Sequence, residues 1–113
     1  MKTSELTGTA LNWAVAKCEG MENQSGMWAG DKWVGIPYIT DWAQGGPIIE
    51  QEKIEWQWLP ATNPLHRYGA RKPSLGGQHR TFCMDGPTIL IAAMRCYVAS
   101  KLGDDVEVPE GLL

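Results

Sequence analysis

The side chains best suited to chemistry in this chain of 113 residues are its aromatic rings and its arginines. Six tryptophans stand against a single phenylalanine. Indole and phenol rings stack on nucleobases, and guanidinium groups bind phosphate oxygens through a planar fork. Aromatic and basic side chains together are therefore typical of a pocket for a nucleotide-like ligand. The candidate ligand-binding residues are Trp28, Tyr38, Thr40, Asp41, Trp42, Arg67, Arg71, His79, Arg80 and Arg95.

The charged residues are unevenly distributed along the chain. The formal net charge is −3, but no Asp or Glu occurs between Glu55 and Asp85. This window carries +4, and the rest of the chain carries −7. A local positive segment attracts small anions whatever the net charge, whereas general coating of nucleic acid requires a basic protein. We therefore expect one small anionic ligand or one acidic partner surface, and the alternative is a solvated basic loop.

Arg95 and the tryptophans each allow a second interpretation. Arg95 interrupts an apolar segment, and a lone buried charge is costly, so we favour a salt bridge to a carboxylate such as Asp41 or Glu50 over a ligand-binding role. Aromatic and arginine side chains also dominate protein interfaces. A protein-docking surface is therefore the alternative to a small-ligand pocket, and such pockets commonly form at the interface of a symmetric homo-oligomer.

Patterns of catalysis and of metal binding are weak in this sequence. Glu50, Glu52 and Glu55 lie where solvated acids are common, and the chain contains no phosphate loop, no GxSxG and no HExxH. Zinc ligands normally occur in close pairs, but of the histidines and cysteines only His79 and Cys83 are near each other. We therefore predict no catalytic residue, no metal and no cofactor, and we favour binding over catalysis.

Three widely spaced cysteines are typical of reduced thiols in a packed interior rather than of disulfides. The N-terminal segment lacks the apolar stretch of a signal peptide. The longest apolar run, Ile89 to Met94, is too short to cross a bilayer. We expect an intracellular protein in solution, without a membrane partner.

Helical spacing of apolar residues predicts the first and last elements. A helix from Thr3 to Glu19 has Thr3 or Ser4 as its N-cap. A helix from Thr88 to Leu102 is apolar almost all round, which is typical of a central core element.

A second helix is predicted before the middle of the chain, with Thr40 or Asp41 as its N-cap and Glu52 near its end. Pro47 lies within it, and because proline lacks an N–H, the helix either kinks there or begins at Pro47. Ahead of this helix, the glycines of residues 20–37 indicate turns or a short irregular hairpin.

Two strands are predicted on either side of a long loop. Lys53–Leu59 alternates apolar and polar residues with period two, which predicts a half-buried strand with Trp56 and Trp58 in the core. Residues 60–78 are rich in proline and glycine, and we expect a long loop or a loosely paired hairpin. His79–Met84 is the second predicted strand.

Together these elements predict an α+β fold in one domain over residues 1–113. A small antiparallel sheet packs with about three helices, in the order helix, helix, strand, strand, helix, in a sandwich-like arrangement. A chain of this length can hold one modest core without disulfides or metals.

Three segments resemble a known family: LTGTALNWAVAKCEG, YITDWAQGGPIIEQEKI and GPTILIAAMRCYVASKLGDDVEVPEGLL. They look like the NinX-type family of small proteins from tailed bacteriophages of enteric bacteria, and TDWAQGGPIIE and AAMRCYVASKLG are the most specific strings. The element order with its Tyr-x-Thr-Asp stretch is more distantly similar to the phage α-β-α sandwich domain. Residues 22–34 and 65–80 show no clear family pattern.

The resemblance implies a phage accessory protein that acts in the cytoplasm of the infected bacterium, and it supplies no catalytic residues. Combined with the aromatic and basic middle of the chain, it suggests a counter-defence protein that binds and sequesters a small phosphorylated, nucleotide-like ligand. The alternative is a protein that docks on a host enzyme or defence complex and inhibits it.

Overall fold

An antiparallel sheet packed against a buried helix organises the fold. The computed structural model describes residues 1–20, 26–29, 32–60, 63–73 and 81–109. Within these residues the helices are α1 (Gly8–Cys18), α2 (Trp42–Glu52) and α3 (Ile89–Leu102). The strands are β1 (Gly26–Ala29), β2 (Lys32–Gly35), β3 (Glu55–Trp58), β4 (Tyr68–Pro73) and β5 (Thr81–Gly86). β1 and β2 form the hairpin predicted within residues 20–37, and a second sheet has the order β3-β4-β5. The predicted α+β class is confirmed.

Helix α3 is the centre of the core. Every side chain from Ala92 to Ala99 is buried, so this part of the helix has no face in contact with solvent. Thr88 caps the helix by accepting a hydrogen bond from the N–H of Ile91 at 3.1 Å, and Gly103 follows its last turn with a φ of 87°. Helices α1 and α2 and all three strands of the second sheet contact α3, which confirms the prediction of a central helix.

The first helix begins later than the sequence predicts. Residues Thr3–Glu5 form a short 3-10 turn, Leu6 is extended, and α1 starts at Gly8. Thr3 does not cap the helix, because its hydroxyl donates to the carbonyl of Gly103 at 2.6 Å and its side chain is fully buried. The N-terminal segment therefore packs against the end of α3, and the prediction of a continuous helix from Thr3 was wrong.

Helix α2 begins at Trp42 and runs through Pro47. The carboxylate of Asp41 accepts a hydrogen bond from the N–H of Ala43 at 2.9 Å, so Asp41, one of the two predicted candidates, is the N-cap. A helix that begins at Pro47, one of the two predicted alternatives, was wrong.

Gly45 allows α2 to approach its neighbours closely. A Cβ at this position would lie 2.5 Å from the carbonyl oxygen of Tyr38 and 2.7 Å from Cδ2 of Leu90. Both distances are shorter than real carbon contacts permit. The packing of α2 on Tyr38 and on α3 therefore depends on the missing side chain of Gly45.

Strand β4 is the central strand of its sheet, although it falls in the segment predicted as a long loop or a loose hairpin. It pairs with β3, from Trp58 opposite Tyr68 to Glu55 opposite Arg71, and it pairs with β5 on its other side. The glycine, proline and charged residues of β4 do not form the alternating apolar pattern by which a strand is recognised in a sequence. Pairing with β3 and β5 stabilises the strand instead, so the long-loop prediction was wrong here.

The tryptophans of β3 lie at the surface, contrary to the prediction of a half-buried strand. Trp56 is 50% exposed and Trp58 is 64% exposed. They share a face of the sheet with Tyr68 and Ala70, and Ala70 is buried. However, β3 is the edge strand, and α3 packs mainly over β4 and β5. The alternating pattern therefore identified the shared face correctly but not the extent to which the helix covers it.

An ion pair with Glu52 connects the end of α2 to β4 and α3. Oε1 of Glu52 lies 2.5 Å from Nζ of Lys72 and 3.5 Å from Nζ of Lys101, and the Glu52 side chain is largely buried. The hydrogen bond from Lys72 lowers the pKa of Glu52 below its ordinary value. A lowered pKa stabilises the folded protein at a pH above the unfolded pKa, and this stability is lost as the pH falls through the folded pKa.

We expect Glu52→Gln to lower the free energy of unfolding by about 1–2 kcal/mol at neutral pH, because a charge-assisted bond is lost. The loss should be smaller at a pH below the folded pKa of Glu52, where the native carboxylate is already protonated. Urea unfolding at both pH values measures the difference. Glu50→Gln is the control, since Glu50 is exposed on the same helix. An equal loss of unfolding free energy at both pH values would show that the negative charge of Glu52 does not stabilise the folded protein.

Candidate ligand groove

A groove lies where the start of α2, the start of β4 and the start of α3 meet. We call it the α3 groove. Its volume is about 480 Å³, which is within the range of small-ligand pockets. Its lining residues are Ile39, Thr40, Trp42, Tyr68, Pro87, Thr88, Ile89, Leu90 and Ile91.

Two aromatic side chains line this groove. Trp42 is the first residue of α2, where the Asp41 cap fixes the backbone, and it is 52% exposed. Tyr68 is the first residue of β4 and is partly buried. Thr40 adds a hydroxyl group at the surface. The groove thus combines two aromatic side chains and several aliphatic ones with the hydroxyl groups of Thr40 and Thr88, a composition that suits a flat aromatic ligand.

Arg67 directly precedes Tyr68 in the chain, and its side chain is exposed. Within the described part of the chain, its guanidinium forms no ion pair or hydrogen bond with another side chain. Arg67 is thus an exposed cation that adjoins Tyr68 in the chain, although it is not one of the residues that line the groove.

Tyr38 and Asp41, two further predicted ligand-binding residues, have structural roles in the same turn. Tyr38 is only 4% exposed, and its backbone carbonyl is the one that Gly45 approaches. The carboxylate of Asp41 caps α2. The neighbouring N–H of Ile39 donates to the Asn12 side chain at 3.1 Å, which holds this turn against α1. These residues therefore position Thr40 and Trp42.

Arg95, predicted either to bind a ligand or to form a salt bridge with Asp41 or Glu50, lies in the core at 8% exposure. Its Nε donates to the carbonyl of Leu6 at 2.7 Å, and its Nη1 donates to the carbonyl of Asp85 at 2.8 Å. Burial lowers the pKa of Arg95, and the Asp85 charge opposes this effect. The guanidinium is thus held by backbone carbonyls of two segments, and the predicted salt bridge to Asp41 or Glu50 was wrong.

Arg71 lies on the face of the sheet opposite Tyr68, because an odd number of positions separates the two residues along β4. Its guanidinium pairs with Glu55, with Nε donating to Oε2 at 3.1 Å. Arg71 and Glu55 line a second depression of about 420 Å³ on that face. The structure therefore does not bring Arg71 into the α3 groove.

Most of the described basic side chains between Glu55 and Asp85 form ion pairs with acidic residues in the folded structure. Nδ1 of His66 lies 2.9 Å from Oδ1 of Asp85, Arg71 pairs with Glu55, and Lys72 pairs with Glu52. Each acid lies at or just outside the boundary of the window. Among the residues that the structure describes, the predicted positive segment contributes one unpaired cation to the surface, that of Arg67.

Three predicted site residues cannot be assigned to a site. His79 and Arg80 lie outside the described residues. Trp28 lies in β1 with its backbone opposite Trp33, but its side chain is outside the described part of the structure. Their predicted role in ligand binding stays a prediction.

Tyr68 was not among the predicted site residues, although it contributes a wall of the groove. The sequence feature that could have identified Tyr68 as a site residue is its position next to Arg67 in an aromatic and basic segment. Thr88, which was predicted only as the start of the last helix, also lines the groove. The pair of His66 and Asp85 had no sequence signal, since His66 lies in the 3-10 turn Pro64–His66 before β4, Asp85 lies in β5, and only the folded structure brings the two together.

Cys18 and Cys96 are free thiols packed into the structure. Cys96 is buried and Cys18 is partly buried. Burial raises the pKa of the Cys18 thiol to about 12, so it carries its proton at neutral pH. This agrees with the prediction of reduced, packed thiols at these two positions.

Comparison with known proteins places the chain in a family. The model of the family described as "Bacteriophage P22, NinX" matches residues 2–101. No curated protein shows a significant match. Among the helices that the structure describes, none has the length and the apolar composition to traverse a bilayer. Because the match spans most of the 113 residues, the chain belongs to the NinX family of bacteriophage proteins.

Proposed function

We propose that this NinX family member is a non-catalytic accessory protein that binds and sequesters a small phosphorylated, nucleotide-like ligand in the α3 groove. It would act as a counter-defence factor in the cytoplasm of the infected bacterium. The observation that carries the proposal is the presence of Trp42 and Tyr68 in the lining of one groove. Arg67, which forms no ion pair in the described part of the chain, directly precedes Tyr68 and supplies the cation in this proposal.

Each of these groups matches one part of such a ligand. A nucleobase stacks on an indole or phenol ring, and stacking contributes about 1–3 kcal/mol per base. The guanidinium of Arg67 offers two parallel donors to a phosphate. The Thr40 hydroxyl can donate to a sugar or base oxygen. A protein that sequesters a ligand needs only tight binding, so the arrangement requires no group that performs chemistry.

Titration calorimetry with cyclic dinucleotides and with ADP-ribose tests the proposal. We expect one of these probes to bind, and Trp42→Ala to weaken its affinity about tenfold or more through the loss of stacking. Trp56→Ala is the matched control, since Trp56 is also a half-exposed indole but does not line the groove. Arg67→Ala should weaken the same probe and leave the free energy of unfolding nearly unchanged.

The outcomes separate the interpretations. Absence of binding heat with every probe would reject sequestration, as would equal weakening by Trp42→Ala and Trp56→Ala. Conversion of the probe to a product would instead indicate an enzyme. Docking on a host enzyme or defence complex stays a prediction from the sequence, and stoichiometric recovery of one host protein from lysate, with no probe bound, would favour it.

A further inference from the structure

The outer edge of β3 has a defined set of unpaired backbone groups. The N–H of Leu59 donates to the carbonyl of Arg67 at 2.7 Å, which fixes the side on which the β3 residues bond to β4. Hydrogen-bonded positions alternate in an antiparallel ladder, so Glu55 and Gln57 also bond inward. The N–H and carbonyl groups of Trp56 and Trp58 therefore point away from β4, and no strand in the described part of the chain pairs with them.

The side chains around this edge protect it only in part. Natural edge strands are kept from pairing with another chain by short length, by charged side chains such as lysine, and by proline or a bulge. The strand Glu55–Trp58 is short and carries one charge, that of Glu55, but it has no lysine, proline or bulge, and its two indoles are at least half exposed. A weakly protected edge next to two exposed tryptophans is a typical site of association.

A second copy of the same chain fits this edge. If two β3 strands pair antiparallel about a two-fold axis at Gln57, Trp56 of one copy lies opposite Trp58 of the other. Both residues present outward donors and acceptors, so the two pairs exchange four hydrogen bonds. Glu55 lies opposite Leu59, and no like charges face each other directly. The four indoles then lie on one face and cover one another.

We propose that the chain forms a two-fold symmetric homodimer through β3, with the two three-stranded sheets joined into one sheet of six strands. Gln57 faces its own copy at the axis as a non-hydrogen-bonded pair, with Cα atoms about 4.5 Å apart. The pairing buries Trp56 and Trp58 and leaves the α3 groove outside the strand contact. The dimer therefore does not depend on the ligand proposed above.

Charge at Gln57 tests this arrangement. Light scattering on a sizing column should give the native protein a mass of twice 12.5 kDa. Gln57→Lys alone and Gln57→Glu alone each place like charges opposite each other, and the dissociation constant should rise several-fold. An equimolar mixture of the two variants should restore the dimer. The matched controls are Gln51→Lys and Gln51→Glu, because Gln51 is exposed on α2, away from the edge.

A second measurement does not depend on charge. Gln57→Cys should form an intermolecular disulfide under mild oxidation, because the expected Cα separation falls within disulfide geometry, whereas Gln51→Cys should not. A native protein that stays monomeric at the highest attainable concentration would overturn the proposal. A dimer that is indifferent to both charges at Gln57 and forms no Gln57→Cys cross-link would overturn it as well.

Discussion

We expect Gly45→Ala to lower the free energy of unfolding by about 3 kcal/mol, the upper part of the range for overpacking a core. The added methyl group would lie 2.5 Å from the Tyr38 carbonyl oxygen and 2.7 Å from Cδ2 of Leu90. Leu90 can shift its side chain, but the carbonyl belongs to the backbone of the turn before α2. The helix would therefore have to move away from that turn, and urea unfolding measures the cost.

Gly46→Ala is a matched control one position along the same helix. A Cβ there would meet Cε3 of Trp42 at 3.6 Å, which is an ordinary contact. Alanine also favours a helix over glycine by about 0.5–1 kcal/mol, so this variant should be as stable as the native protein or slightly more stable. Similar effects of the two substitutions would show that the close approach at Gly45 does not limit the packing of α2.

Arg95→Met should cost about 3 kcal/mol of unfolding free energy, although methionine fills much of the same volume. The substitution removes two charge-assisted hydrogen bonds and leaves the carbonyls of Leu6 and Asp85 without these donors. Because the first carbonyl belongs to the N-terminal segment and the second to β5, we also expect that segment to detach more readily. Proteolysis near the N-terminus, followed by mass spectrometry, measures this second effect.

Arg67→Met provides the comparison for Arg95→Met. Arg67 is exposed, and a surface substitution usually changes stability by about 0.5 kcal/mol or less. Arg95→Lys keeps the charge but reaches fewer acceptors, so its stability should fall between those of the native protein and Arg95→Met. If Arg95→Met unfolds at the same urea concentration as the native protein, the two hydrogen bonds contribute no net stability.

The helices could be predicted from the sequence because their signals are local. The apolar character of residues 89–102 on all sides indicated the central helix, and the position of Asp41 before Trp42 indicated the cap of α2. The hairpin of residues 26–35 was indicated by its glycines. In each case neighbouring residues determine the backbone conformation, so no tertiary information was needed.

The sheet and the charged contacts depend on distant parts of the chain. Strand β4 exists because β3 and β5 pair with it, and its own residues give no strand pattern. The exposure of Trp58 depends on how far α3 extends over an edge strand. The buried position of Arg95 was predicted as costly, but its acceptors are carbonyls, which every residue has and which leave no signature in the sequence.

For the candidate site, the sequence indicated Thr40, Trp42 and Arg67, and the fold places the first two in one groove with Tyr68. It could not show that Arg71 lies on the other face of the sheet, because that depends on the position of β4. Ion pairs with Glu52, Glu55 and Asp85 also offset the expected positive charge, and these pairs depend on how β4 and the turn before it pack against α2, β3 and β5.

The complete burial of Ala92–Ala99 in α3 has a consequence for how the molecule opens. Local fluctuations expose backbone amides only where a segment can leave its neighbours at low cost. This part of α3 contacts both other helices and the sheet, so it cannot separate without dismantling all of them. We therefore expect hydrogen exchange of its amides to occur only through global unfolding.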